Sequence, residues 1–203
     1  GLAAEAVDTV LMGCVLQAGQ GQAPARQAAL GAGLSQAAQC TTLNKMCGSG
    51  MQALMLGHDQ LLAGSAEVLV AGGMESMSNA PHMLLNSRTG LRMGDSALTD
   101  HMVKDGLWCP FENRHMGDSA EAIAAKYEVA RDAQDEFAVR SQTRASAAVD
   151  GGIFDEEIVS VDIGDLAATA GGVKDPLRSV CEPGGVHAAR IDDDLDVLLA
   201  AAH

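Results

Sequence analysis

The stretch that decides the fold is Asn44-Lys45-Met46-Cys47-Gly48-Ser49-Gly50. Residues 40–43 before it form a run typical of a β-strand, and the apolar side chains of residues 51–62 recur at three- and four-residue spacing, which indicates a helix. Cys47 therefore lies where a strand gives way to a helix, and Gly48 and Gly50 allow the backbone to turn sharply there. The first N–H groups of the helix point at Cys47 and favour its thiolate, the form of cysteine that attacks carbonyl groups.

Two interpretations of this cysteine remain open on local pattern alone. The predicted strand–turn–helix is similar to a Gly-x-Ser-x-Gly nucleophile elbow, with sulfur in place of oxygen. A cysteine is also often a small buried hydrophobic residue, and Cys14 and Cys40, in apolar surroundings, fit that description. Cys47 differs from both because glycines follow it directly and a helix begins there, so we predict that it is a nucleophile.

Composition excludes several classes of protein. The chain has 203 residues, 47% of them hydrophobic but only 2% aromatic, so its core must be built from Ala, Val, Leu and Met. Asp and Glu number 27 against 13 Lys and Arg, which argues against a nucleic-acid partner. We expect no membrane span and no signal peptide. The odd count of 5 cysteines, without Cys-x-x-Cys spacing, argues against a disulfide framework or a zinc site and favours a reducing cytoplasm.

The order of the first elements predicts a parallel α/β layer. Strands are expected at residues 9–16, 41–46 and 67–73, with helices from Pro24 to about Gly31 or Gly33 and from Cys47 to about Ala63. Binding sites in such sheets lie at the carboxyl ends of the strands, where the Cys47 turn and residues 72–76 converge.

After Asn79 the pattern changes. Residues 81–110 show no clear hydrophobic period, which predicts a long loop. Loops of this length inside a domain usually carry function. Two helices are predicted next, one capped by Asp118 or Ser119 and one at residues 131–149. A strand is expected at residues 153–161, a solvated turn at 192–194 and a further element from 195. We expect His58 to be a core or interface residue, and His82 and His101 to be ordinary loop residues.

The motifs together resemble the thiolase family, in its acetyl-CoA acetyltransferase (biosynthetic) branch. The resemblance covers about residue 7 to residue 159. It is carried by Gly-Gln-Gly-Gln-Ala-Pro-Ala-Arg-Gln-Ala-Ala at 19–29, Asn-Lys-Met-Cys-Gly-Ser-Gly-Met-Gln-Ala at 44–53, Ala-Gly-Gly-Met-Glu-Ser-Met-Ser at 71–78, Lys-Asp-Gly-Leu at 104–107, His-Met-Gly at 115–117 and Arg-Asp-Ala-Gln-Asp-Glu-Phe-Ala at 131–138. It implies a thiolase-like layered α/β fold with an inserted loop domain. Residues 1–79 would be part of the N-terminal α/β domain and residues 80–203 an incomplete loop domain.

The resemblance also implies a chemistry. Cys47 would be the acylated nucleophile that transfers an acetyl group between acetyl-CoA molecules. Leu107, His115 and Met116 match positions that line the pantetheine arm of coenzyme A in the family. Coenzyme A would be a substrate carrier, and neither a further cofactor nor a metal is expected.

The family's second half has no counterpart in this sequence. The resemblance therefore implies that the histidine activating Cys47, the Asn-Glu oxyanion motif and a second cysteine are missing, and that the isolated chain is nearly inactive. We expect a homo-oligomer, or pairing with a chain that supplies the C-terminal half. An exposed sheet edge is expected where the family's first strand would lie.

Two other functions stay open. One is a degradative 3-ketoacyl-CoA thiolase, which the cysteine segment does not distinguish from the biosynthetic branch. The His115-Met116 pair favours the short-chain branch. The other is a non-catalytic subunit that binds acyl-CoA, which the missing base suggests.

Overall fold

A computed structural model describes residues 2–158 and the backbone of one further strand at residues 196–200. The described residues form two compact units, one of residues 2–121 with 196–200 and one of residues 122–158. The division at residue 79, between an α/β domain and an inserted domain, stays a prediction.

The first unit is built on alternating strands and helices. Its elements, in chain order, are β1 (Thr9–Gly13), α1 (Pro24–Gly31), β2 (Gln39–Leu43), α2 (Ser49–Leu62) and β3 (Leu69–Glu75). Helix α1 begins at Pro24, where a missing N–H costs nothing. The next N–H, that of Ala25, donates to the Thr42 hydroxyl at 2.9 Å. The five elements predicted from the sequence are confirmed within a few residues at each end.

Strand β1 lies between its two parallel neighbours. It pairs with β2 through Leu11 and Thr41, and with β3 through Leu11 and Ala71. The strand Asp196–Ala200, labelled β8 below, runs antiparallel to β3, so the order is β2-β1-β3-β8. The predicted parallel α/β arrangement is therefore correct. The exposed sheet edge that we expect where the family's first strand would lie stays a prediction.

The two helices pack on opposite faces of the sheet. Alternate residues of β1 point to opposite faces. Val10 and Met12 pack with Ala25 and Ala29 of α1, whereas Leu11 packs with α2 and β3 in a cluster completed by Ala53 and Ala71. The small alanine side chains let the helices approach the sheet closely. Close packing of small aliphatic side chains thus forms the core in place of the aromatic residues that this composition lacks.

Glycines set the start of α2 against the strand ends. A Cβ at Gly13 would lie 2.5 Å from the Ser49 carbonyl carbon, and a Cβ at Gly73 would lie 3.5 Å from the Gly50 Cα. At Gly13 only a hydrogen side chain fits against the Ser49 backbone, whereas a Cβ at Gly73 would be in ordinary van der Waals contact. The first turn of α2 is therefore held at the carboxyl ends of β1 and β3.

The stretch without clear periodicity contains short ordered elements. Strands β4 (His82–Leu84) and β5 (Leu98–Asp100) pair antiparallel. A π-helical turn at Met102–Leu107 leads to the hairpin of β6 (Trp108–Cys109) and β7 (Arg114–His115), which is followed by α3 (Met116–Lys126).

In the second unit, helix α4 (Arg131–Asp150) confirms the second helix predicted after residue 118. The strand predicted at 153–161 is wrong for residues 153–158, which form turns. The N–H of Ile153 donates to Ala148 O at 3.1 Å and that of Ile158 to Phe154 O at 3.0 Å, so local bonds use the groups a strand would need. The elements predicted at 159–161 and 192–194 lie outside the described residues. No helix in the described ranges is long and apolar enough to cross a membrane.

Candidate active site

The β2–α2 turn holds an unusual backbone conformation just before Cys47. Met46 has a left-handed φ of 51°, which costs on the order of 1–3 kcal/mol and persists only where neighbouring groups impose it. The Asn44 side-chain oxygen accepts from Met46 N at 2.9 Å, and the Ser49 hydroxyl donates to Met46 O at 2.5 Å. The same hydroxyl accepts from Lys45 N at 2.8 Å. Asn44 and the buried Ser49 therefore fix the turn that presents Cys47.

Cys47 is exposed at the N-terminal end of α2. Gly48 is the N-cap residue, and its carbonyl accepts from Gln52 N at 2.9 Å. Cys47 therefore directly precedes the N-cap of α2, close in the chain to the positive end of the helix dipole. The N–H groups of Gly48 and Ser49 donate to Lys45 O at 3.2 Å and to Met46 O at 2.9 Å. In the described part of the chain no hydrogen bond joins this thiol to a histidine. His101 binds Asp105 and His115 binds Gly117.

Cys14 shows the opposite environment. Only 1% of it is exposed. Its thiol donates to Gln20 Oε1 at 3.3 Å and to Glu75 Oε1 at 3.6 Å. Burial, and then the negative charge of Glu75, raise the pKa of Cys14 to about 11. The expectation that Cys14 is buried is confirmed, and its thiol stays protonated at neutral pH.

Glu75 is a structural residue of this edge that sequence reasoning missed. Its carboxylate accepts from Val15 N and from Leu16 N, each at 2.8 Å. It thereby fixes the chain leaving β1 to the end of β3, about 60 residues away in sequence. A carboxylate directly after a buried strand was the available signal.

The hairpin β6–β7 brings together the three residues predicted to bind coenzyme A. Trp108 pairs with His115, so Leu107, which precedes Trp108, and Met116, which follows His115, lie at the same end. Leu107 and His115 are half-buried and Met116 is exposed. His115 Nδ1 accepts from Gly117 N at 3.0 Å, which leaves the proton of the neutral ring on Nε2, free to donate. Cys47 belongs to the separate β2–α2 turn, and no described hydrogen bond joins that turn to the hairpin.

Three further histidines among the described residues occupy different environments. His58 is exposed on α2, with Nδ1 3.6 Å from Asp59 Oδ1, so it is not a core residue. His82 is an exposed residue of β4. His101, expected to be an ordinary loop residue, is 5% exposed and hydrogen-bonded through both ring nitrogens. Asp105, four residues on, was a local signal, whereas the contact with Ala18 could not be predicted because Ala18 lies 83 residues away.

A cavity of about 530 Å³ lies on the α1 face of the sheet. Its walls are mainly apolar and include Val10, Met12, Ala29, Val70 and Met74. None of the four predicted site residues lines it. Among the described residues, no group of three or more His, Cys, Asp or Glu side chains is placed to hold a metal ion.

The fold and the site define a class. A parallel sheet, with an exposed cysteine on a strained strand-to-helix turn, is an α/β domain whose turn is similar to a nucleophile elbow. The sequence matches the family model "Thiolase, N-terminal domain" over residues 1–175. The chain belongs to the thiolase family.

Curated relatives carry a consistent name. The chain is 55% identical over 161 residues to an acetyl-CoA acetyltransferase of Cupriavidus necator, covering 79% of this chain and 41% of the relative. It is 52% identical over 163 residues to one of Pseudomonas aeruginosa, covering 80% and 42%. It is 50% identical over 163 residues to one of Thiocystis violacea, covering 80% and 41%. The match thus spans about two-fifths of the length of these relatives.

Proposed function

We propose that this chain is the nucleophile-bearing part of a thiolase-type acyltransferase that transfers acetyl groups between acetyl-CoA molecules. The observation that carries the proposal is the exposed Cys47 on a strained turn at the N-terminus of α2. The name acetyl-CoA acetyltransferase, shared by relatives of at least 50% identity, supports the choice of substrate.

The first half-reaction acylates Cys47. Its sulfur attacks the thioester carbonyl of acetyl-CoA, a carbon–sulfur bond to Cys47 forms, and the bond to the sulfur of coenzyme A breaks. The proton of the Cys47 thiol ends on the departing coenzyme A. The backbone N–H of Cys47, at the start of the helix, is suited to stabilise the oxyanion that forms in between.

The second half-reaction removes the acetyl group from Cys47 and regenerates its free thiol. The α-carbon of a second acetyl-CoA loses a proton and attacks the acetyl group, which gives acetoacetyl-CoA, and Cys47 recovers a proton. The reverse direction is thiolysis of acetoacetyl-CoA. These steps need a base, and none of the described histidines is hydrogen-bonded to Cys47. Full turnover is therefore proposed to require a base outside the described residues, from a C-terminal half or from a partner chain.

Coenzyme A is proposed to act as substrate carrier, with no further cofactor. Leu107, His115 and Met116 are proposed to contact its pantetheine arm. An apolar side chain, a free imidazole N–H and a thioether suit an arm that alternates methylene and amide groups. The domain division at residue 79, a homo-oligomer or a complementing chain, a place in fatty acid metabolism and a cytoplasmic location belong to the same proposal.

Intact mass spectrometry after brief mixing with acetyl-CoA tests this function. We expect a 1:1 acetyl adduct that maps to the peptide carrying Cys47 and is lost in Cys47→Ser. Cys40→Ser is the matched control, since Cys40 lies in β2 close to the same turn. An adduct on another cysteine would contradict the proposal. No adduct on a chain folded by circular dichroism would mean that activation of Cys47 itself requires the missing residues.

A further inference from the structure

His101 connects two segments that are distant in sequence. Its Nδ1 lies 2.7 Å from Asp105 Oδ2, and its Nε2 accepts from Ala18 N at 3.3 Å. Because Nε2 accepts, the neutral ring carries its proton on Nδ1 and donates it to Asp105. The backbone N–H of His101 also donates to Pro81 O at 3.2 Å. A buried imidazole is therefore fixed in position and in tautomer.

The segment at Ala18 is itself anchored to the sheet. Glu75 holds the backbone of Val15 and Leu16 at the carboxyl edge. The Leu16 side chain packs on Gly106, where an added Cβ would lie 3.3 Å from Leu16 Cδ2. Two contacts, one polar through His101 and one apolar through Leu16, thus attach the turn Met102–Leu107 to this edge.

The same turn ends on Leu107, next to the hairpin that carries His115. Its start is fixed because the Asp100 carboxylate accepts from Met102 N at 2.8 Å. Asp105 lies inside the turn, two residues before Leu107. The bond from His101 to Asp105 therefore ties the middle of the turn to its first end.

We propose that His101 and Asp105 are positioning residues that fix the Met102–Leu107 turn on the sheet edge and so place Leu107 for binding of coenzyme A. This inference rests on the proposed function of Leu107. Neither His101 nor Asp105 needs to touch the reacting atoms. Their effect is on affinity for coenzyme A rather than on the nucleophile.

The test compares four variants of the full chain. His101→Ala and Asp105→Ala remove the bond. Asp105→Asn keeps an oxygen acceptor, and the Ala18 N–H on Nε2 keeps the ring tautomer that donates to it. His82→Ala is the control, an exposed histidine in the neighbouring strand β4. Calorimetry with coenzyme A gives the Kd, and iodoacetamide gives the labelling rate of Cys47, which needs no contact with coenzyme A.

We expect the Kd of His101→Ala and of Asp105→Ala to rise about tenfold, as for loss of one charge-assisted hydrogen bond. Asp105→Asn and His82→Ala should stay within about twofold of the unmodified chain, and all variants should label Cys47 at the same rate. Equal Kd values in all chains would overturn the inference alone, whereas no binding by the unmodified chain would overturn the proposed coenzyme A contact of Leu107 and the inference with it. A Cys47 labelling rate that falls with the affinity would also overturn it, because the pair would then only support the fold.

The two proposals fail separately. An absent acetyl adduct on Cys47 counts against the acyltransferase reaction of this chain, whereas the pattern of Kd values among the variants is read without any reaction.

Discussion

At the scale of single residues, the two cysteines at the strand ends have opposite chemistry. Cys47 is exposed on a helix N-terminus, and Cys14 is buried against a carboxylate. A thiolate needs solvation or positive potential, and only the first position offers either. This contrast is the basis of the nucleophile assignment, and it is directly measurable.

Iodoacetamide should label Cys47 at least about tenfold faster than Cys14 at pH 7.5. With a pKa of about 11, only about one Cys14 thiol in 3,000 is ionised at that pH, and reagent access is blocked as well. Peptide mapping after timed quenching gives both rates in one sample, with half-buried Cys40 as an internal comparison. Equal rates for Cys47 and either of the others would refute the assignment.

Cys14 also predicts how stability changes in alkali. Its pKa is raised from 9.0 unfolded to about 11 folded, so the unfolded chain loses the proton first. The contribution of the protonated Cys14 thiol to the free energy of unfolding is fully present below pH 9 and is lost as the pH rises towards 11. Urea titrations should therefore show that the free energy of unfolding falls less steeply over this range in Cys14→Ala than in the unmodified chain. Parallel curves would show that Cys14 does not carry the dependence.

At the scale of elements, the active edge depends on backbone contact between α2 and the strands. Gly13→Ala would place a Cβ 2.5 Å from the Ser49 backbone, and backbone atoms cannot rotate away as a side chain can. We expect a loss of about 3 kcal/mol in the free energy of unfolding, together with slower labelling of Cys47.

Gly31→Ala provides the matched control for that substitution. No atom lies within 4 Å of the Cβ it would add, and Gly31 ends α1, so Ala there should be neutral or stabilising by up to about 1 kcal/mol. Chemical denaturation of both variants measures the difference. Equal stabilities would mean that α2 can move off the strands at no cost.

The sequence predicted those elements whose signals are local. Apolar runs and Pro24 located β1, α1 and α2, and the glycines after Cys47 located the turn. The strand prediction was wrong for residues 153–158 because their apolar pattern also suits turns whose N–H groups donate to nearby carbonyls. The partners of Glu75 and His101 were missed because each side chain binds a backbone group about 60 or more residues away, and the local signals, a carboxylate after a buried strand and an aspartate four residues after the histidine, do not identify those groups.

At the scale of the whole molecule, α2 carries an apolar face that the described residues leave uncovered. Met51, Met55 and Leu62 share that face and are 70%, 53% and 76% exposed. Exposed apolar patches of this kind mark sites of association.

The apolar face of α2 should therefore drive self-association of the chain. The triple variant Met51→Gln, Met55→Gln and Leu62→Gln removes most of the exposed apolar surface of α2 and leaves its buried side unchanged. We expect sedimentation velocity to show a shift towards monomer and the binding of an apolar dye to fall several-fold. Met93→Gln is the control, because that side chain is fully exposed and lies outside α2. If the triple variant associates as strongly as the unmodified chain, contacts are made elsewhere. The β2 edge of the sheet would then be the surface to test, since unpaired strand edges also bind other chains.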